Sequence, residues 1–140
     1  FKANTDDVRE SAALEIIPLL LARGANVNAF DPWANANAAL LLDGVRWCSD
    51  PYEAARGADI VVILTEWDVF RSLDLELLGD LMSSRVILDC RNLLDPREVA
   101  RHDFKYMGIG RATMPRDLKS RRLPRAARAD KKPTEKTRLP

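Results

Sequence analysis

The run Asp59-Ile60-Val61-Val62-Ile63-Leu64 constrains the fold of this chain more than any other stretch. An apolar, largely β-branched run with no alternating polar partner predicts a strand buried on both faces, the situation of a parallel sheet covered by helices. The flanking sequence supplies the helices. Residues 11–23 carry apolar residues at helical density, with Ser11 placed as N-cap and Gly24 as a stop. Pro18 falls inside this helix, where it removes a backbone bond at a cost of about 3 kcal/mol and predicts a kink. Residues 26–30 read as a short strand ended by Asp31-Pro32, 33–42 as a helix, and 45–47 as a brief strand. Asp50-Pro51 opens a helix that runs to Gly57, with Asp as cap and Pro in the first turn. Beyond the central run, 67–82 reads as a helix, 85–88 as a second buried strand, 95–101 as a helix with Pro96 in its first turn, and 104–107 as a last strand. Strand and helix alternate throughout, so the expected class is α/β with a doubly wound parallel sheet.

Ligands of such sheets sit outside the carboxyl ends of the strands. Three charged loops fall there: the opening segment FKANTDDVRES, the Thr65-Glu66-Trp67-Asp68 loop, and Asp89-Cys90-Arg91-Asn92. Sequence order therefore brings Lys2, Arg9, Glu66 and Arg91 to one rim. Lys2 is a compact point charge suited to a phosphate or a sugar oxygen, whereas Arg9 and Arg91 offer planar forks suited to a pyrophosphate, a ribose or a carboxylate. Asp31 ends the second strand of the pattern, where dinucleotide folds often hold a ribose, although Asp-Pro is also an ordinary turn. Trp67 opens a helix and is expected in the core.

The formal net charge of +1 over 140 residues hides a segregation. Residues 1–110 hold 11 Lys and Arg against 18 Asp and Glu, while residues 111–140 hold 11 against 3. An acidic domain thus precedes a basic tail with four prolines and no aromatic residue, a composition that predicts disorder and no specific nucleic-acid binding. Cys48 and Cys90 form no CxxC pair and His102 is the sole histidine, which speaks against a disulfide framework or a zinc site and for a reducing compartment. No stretch approaches the roughly 20 apolar residues of a membrane span, and no signal peptide is visible. Phe1 is not an initiator methionine, so the chain is expected to be part of a longer polypeptide.

Seven short motifs stand in register along residues 1–111: Phe1-Lys2 with Thr5-Asp6-Asp7 and Arg9-Glu10-Ser11; Phe30-Asp31-Pro32; Asp50-Pro51-Tyr52-Glu53-Ala54; Gly57-Ala58-Asp59; Thr65-Glu66-Trp67-Asp68; Asp89-Cys90-Arg91-Asn92; and Gly108-Ile109-Gly110-Arg111. In order and spacing they resemble the C-terminal, nucleotide-sugar-binding domain of the UDP-glucose/GDP-mannose dehydrogenase family, most like the UDP-glucose 6-dehydrogenases. The resemblance implies a domain over residues 1–111 and a disordered basic tail over 112–140. It implies part of a cytoplasmic, NAD-dependent enzyme that oxidises a sugar CH2OH to a carboxylate in two hydride transfers. Phe1, Lys2 and Arg91 would contact the UDP-sugar, and Arg9 would reach toward NAD held mainly by an N-terminal domain. The partners implied are the N-terminal and central domains of the same enzyme and further copies of it, joined through parts outside this chain.

The departures from that pattern are informative. The family's nucleophilic cysteine, its partner lysine and asparagine, and a G-x-G-x-x-G loop have no counterpart here. No catalytic residue and no metal ligand is therefore expected in this chain. Cys90 stands where the family usually has glycine, so the backbone before Arg91 is expected to sit somewhat differently. The first strand of the sheet is expected to be largely missing, with the strands at 26–30 and 59–64 flanking its place. Alternatives are a UDP-N-acetylmannosamine or GDP-mannose dehydrogenase, or a non-catalytic nucleotide-binding or interaction module.

Overall fold

The computed structural model describes residues 6–113; Phe1, Lys2 and the tail from 114 to 140 lie outside the described residues. Eleven elements alternate along the described chain. They are α1 (Ala13–Ala22), β1 (Val27–Ala29), α2 (Asn35–Ala39), β2 (Val45–Trp47), α3 (Pro51–Ala55), β3 (Val61–Ile63), α4 (Asp68–Arg71), α5 (Leu75–Leu81), β4 (Val86–Asp89), α6 (Pro96–Arg101) and β5 (Lys105–Gly108). Every strand pairing is parallel, which bears out the α/β class.

The pairing falls into two pieces. β1 pairs with β2, Val27 opposite Val45, and β3-β4-β5 form a second sheet in which Ile87 faces Val61 on one side and Tyr106 on the other. Among the described residues, neither β1 nor β3 has a second hydrogen-bonded neighbour. The division falls where the sequence placed the missing strand. It also corrects the expectation of two-sided burial for the central run: Ile63 is buried, but Val61 and Val62 are half-buried and Ile60 is exposed. A strand without a neighbour on one edge leaves its side chains open to solvent on that side.

Three Asp residues start helices, Asp50 and Asp95 where the sequence expects a start and Asp74 where it does not. Asp50, Asp74 and Asp95 each accept a backbone N–H of the first helical turn, from Glu53, Leu77 and Arg97 respectively. Glu53 reaches back past the cap, its Oε2 accepting the Ser49 backbone N–H at 2.9 Å. Its carboxyl is held below the ordinary range by the two Ser49 hydrogen bonds and by Arg46. Asp74 also corrects the single helix expected over 67–82. By capping a new start at Leu75 it divides that stretch into α4 and α5, and the Asp74 N–H is taken by the Tyr52 hydroxyl at 2.9 Å. α1 runs through Pro18 as one helix. Ser11 sits one position ahead of the assigned cap, and its Oγ accepts the Ala13 N–H at 3.3 Å. The helix closes on Gly24, at φ 81°, with the Ala25 N–H reaching back to the Leu20 carbonyl at 3.1 Å.

Burial follows the two sheet pieces. Ile63, Leu78, Ile87, Val99, Phe104 and Tyr106 form the main core between β3-β4-β5 and helices α5 and α6. Ala13, Ile17 and Leu42 gather Val27, Val45 and Leu64, so α1 packs over β1-β2 and touches the end of β3. The opening segment is anchored as well. Val8 is buried against Ala34 and Ala38, and Asn37 Nδ2 donates to the Asp6 side chain at 3.1 Å.

Candidate functional site

The carboxyl ends of β1, β3 and β4 are tied into a continuous rim by three side-chain contacts. Asp31, just past β1, is buried and accepts the Trp67 Nε1–H at 3.1 Å from the loop after β3. Trp67 packs against Trp33, which is largely exposed, with ring centroids 5.7 Å apart and the planes tilted by 46°. One residue before Trp67, Glu66 accepts two hydrogen bonds from Arg91 of the loop after β4, from Nε and Nη2 onto the same Oε2. The structure thus brings together Glu66 and Arg91 as expected, and it places Trp67 in the core.

Arg91 is presented from a hydrogen-bonded turn. Asp89, the last residue of β4, is fully buried. Its Oδ1 accepts the Arg91 N–H at 3.0 Å, and its Oδ2 accepts the Leu94 N–H at 2.9 Å and the Tyr106 hydroxyl at 3.0 Å. Asn92 takes a left-handed φ of 53°, which asparagine tolerates better than most residues, and its Nδ2 donates to the Ile109 carbonyl at 3.0 Å. Gly108 packs closely beside it, and a Cβ there would meet Asn92 Oδ1 at 2.6 Å, so that the Asn92 side chain would have to shift. Cys90 is not among the residues with positive φ, so its side chain is accommodated without backbone strain.

The other expected residues fare differently. Arg9 is exposed and folds back on Asp7, donating from Nε at 2.9 Å and from Nη2 at 3.0 Å, and this contact raises the pKa of its guanidinium. Asp31 has the Trp33 and Ala34 backbone N–H groups on Oδ1 and Trp67 on Oδ2. It serves as the cap of a turn, which is the plainer of its two sequence readings. Phe1 and Lys2 lie outside the described residues. Burial pushes up the pKa of both thiols, with Glu53 adding to the effect at Cys48 and Asp89 at Cys90, the opposite of what activates a nucleophilic cysteine. Among the described residues, no cluster of His, Cys, Asp or Glu could hold a metal. Clefts of about 510 and 400 Å³ lie between α3 and α5 and beside α6, and neither includes Glu66 or Arg91. Asp89 and Tyr106 escaped the sequence reading because their pairing depends on the register of β4 against β5.

The profile described as "UDP-glucose/GDP-mannose dehydrogenase family, UDP binding domain" matches residues 1–96. The chain belongs to this family. It is 45% identical over 111 residues to a UDP-glucose 6-dehydrogenase of Rhizobium meliloti (strain 1021), an alignment covering 79% of this chain and 25% of that protein. Two solved structures of relatives share the fold. The NDP-N-acetyl-D-galactosaminuronic acid dehydrogenase of Methanosarcina mazei Go1 superposes with a TM-score of 0.68 at 30% identity, over 79% of this chain and 23% of that one. A UDP-glucose dehydrogenase of Pyrobaculum islandicum gives 0.64 at 36% identity, over 80% and 24%. This family member thus spans about a quarter of the length of the relatives it matches. Within it, the rim of Arg91, Glu66 and Trp67 falls in the matched residues.

Proposed function

We propose that residues 1–111 are the nucleotide-sugar-binding part of an NAD-dependent UDP-glucose 6-dehydrogenase, followed by a basic tail over 112–140. One observation carries the reading: in a chain 45% identical to a UDP-glucose 6-dehydrogenase, a hydrogen-bonded turn sets Arg91 at the ligand-binding end of a parallel sheet. The reaction is a four-electron oxidation. The sugar CH2OH would give one hydride to each of two successive NAD molecules, with protons released to solvent, and water would supply the second carboxylate oxygen of UDP-glucuronate. In this chain Phe1, Lys2 and Arg91 bind and orient the UDP-sugar. Arg91 can offer two parallel N–H groups to a phosphate or to adjacent sugar hydroxyls.

NAD fits this chain only at its margin. The chain has no G-x-G-x-x-G, and Arg9, exposed and already paired with Asp7, is the one group assigned to reach it. NAD, which accepts the hydrides when bound, is held mainly by an N-terminal domain, and the nucleophilic cysteine belongs to a central one. The chain alone is accordingly expected to show no dehydrogenase activity. The complete enzyme is read as a cytoplasmic homo-oligomer. Among the described residues no helix is long and apolar enough to cross a membrane.

A second sugar remains in play. The TM-score of 0.68 belongs to an N-acetylated-sugar uronate enzyme, above the 0.64 of the UDP-glucose enzyme. We favour UDP-glucose on the sequence identity and on Thr65-Glu66-Trp67-Asp68. The test is a titration of both ligands against both arginine variants in the complete dehydrogenase. Arg91→Ala should lose about 1.5 to 3 kcal/mol of UDP-glucose affinity, the range for hydrogen bonds to charged groups, while Arg9→Ala should weaken NAD instead. Unchanged UDP-glucose affinity in Arg91→Ala would remove the assignment.

A further inference from the structure

We infer that Asp89 and Glu66 are positioning residues for Arg91, the first fixing its backbone and the second its guanidinium. The inference rests on the reading above, in which Arg91 meets the nucleotide sugar. Asp89 is buried with three donors, two of them backbone N–H groups that bracket the turn and the third the Tyr106 hydroxyl from β5. A buried carboxylate is tolerated only where its lone pairs are satisfied in this way. Any rearrangement of the turn would strip donors from it, so the turn is confined to one conformation. Asn92 ties the far side of the turn to the end of β5. The Arg91 Cα therefore sits in a frame braced from two strands.

The guanidinium is fixed separately. Glu66 takes one edge of the fork, Nε at 3.0 Å together with Nη2, and leaves the Nη1 edge for a ligand. Both side chains are about half exposed, and a pair so exposed adds little to folding stability. Its value lies in orientation: a fork already held in one plane loses less freedom when it binds. A carboxylate at this place could also do the reverse, competing with an anionic ligand for Arg91. The two roles predict opposite signs.

Steady-state kinetics of the complete dehydrogenase separate them. Glu66→Ala should raise the KM for UDP-glucose by about three- to tenfold, with a smaller loss in kcat, as expected for a lost hydrogen-bonded orientation. Glu66→Gln keeps an acceptor oxygen and should recover most of that loss. In an Arg91→Ala background, Glu66→Ala should add nothing, because two residues acting through one contact are not additive. Asp89 variants risk failing to fold, so Tyr106→Phe probes the frame by deleting one hydroxyl. It should raise KM in the wild-type background and leave it unaltered in Arg91→Ala. A KM that stays level or falls in Glu66→Ala while Arg91→Ala raises it would overturn the role of Glu66 and leave the Arg91 assignment standing. A Tyr106→Phe variant with unaltered KM beside a wild-type Arg91 would overturn the role of Asp89. If Arg91→Ala itself leaves KM unaltered, the underlying reading fails and this inference with it.

Discussion

Tyr106 is buried with its hydroxyl donating to the Asp89 carboxylate at 3.0 Å. Burial first, and then the hydrogen bond and negative charge of Asp89, push its pKa up to about 12 from an ordinary value of 10.0. A group whose folded pKa lies above its unfolded one contributes fully below the unfolded value and loses that contribution as pH rises through the folded one. The stability tied to Tyr106 should therefore hold up to about pH 10 and fall away between pH 10 and about 12. Chemical denaturation across that window checks it, and Tyr106→Phe should flatten the alkaline fall. Gly79 offers a second residue-level test. Glycine inside a helix ordinarily gains about 1 kcal/mol on replacement by alanine. Here the added Cβ would lie 2.5 Å from Arg85 Cζ, and that guanidinium also holds the His102 carbonyl and Asp80 and lies over the Phe104 ring. Gly79→Ala should lower Tm despite the helical preference; a rise would show that Arg85 moves aside freely. The position of Arg91 just past β4, on the same rim as Glu66, was legible from its place after a strand and within a motif. The Asp89–Tyr106 bond and the Arg85 contacts were not, because they join residues that neither local spacing nor periodicity connects.

Among the elements, those with strong punctuation were legible within a residue or two. Asp50-Pro51 and Asp95-Pro96 open helices as their chemistry dictates, and Gly24 closes one. The errors lie where two signals compete. Over 67–82 the apolar periodicity reads straight through Asp74, whereas the carboxylate prefers to cap the Leu77 N–H at 3.0 Å and so begins a new helix. Asp74→Ala should destabilise the domain by about 1 kcal/mol, the usual loss for a helix cap, and circular dichroism with thermal melts reads it. In the central run, β-branched composition signals a strand correctly but overstates its burial. It cannot report that one edge lacks a partner, because pairing is a property of the sheet.

For the whole molecule, the sheet is divided between β1 and β3. Unpaired edges and half-buried valines cost stability and invite association. The 140-residue chain alone is expected to be marginally stable or self-associating. A parallel strand added ahead of residue 1, pairing with β1 on one side and β3 on the other, should raise Tm by several degrees, since each kcal/mol is worth about 2 to 8 °C over this size range. A cooperative monomeric melt, no weaker than that of the extended chain, would mean the sheet closes another way. The most direct measurement is the rate of NADH formation by the complete polypeptide with UDP-glucose, UDP-N-acetylmannosamine and GDP-mannose in parallel, with NADH counted per uronate formed. UDP-glucose turning over fastest, with two NADH for each UDP-glucuronate, is the predicted result. Faster turnover of either other sugar, or a single NADH per product, would contradict it.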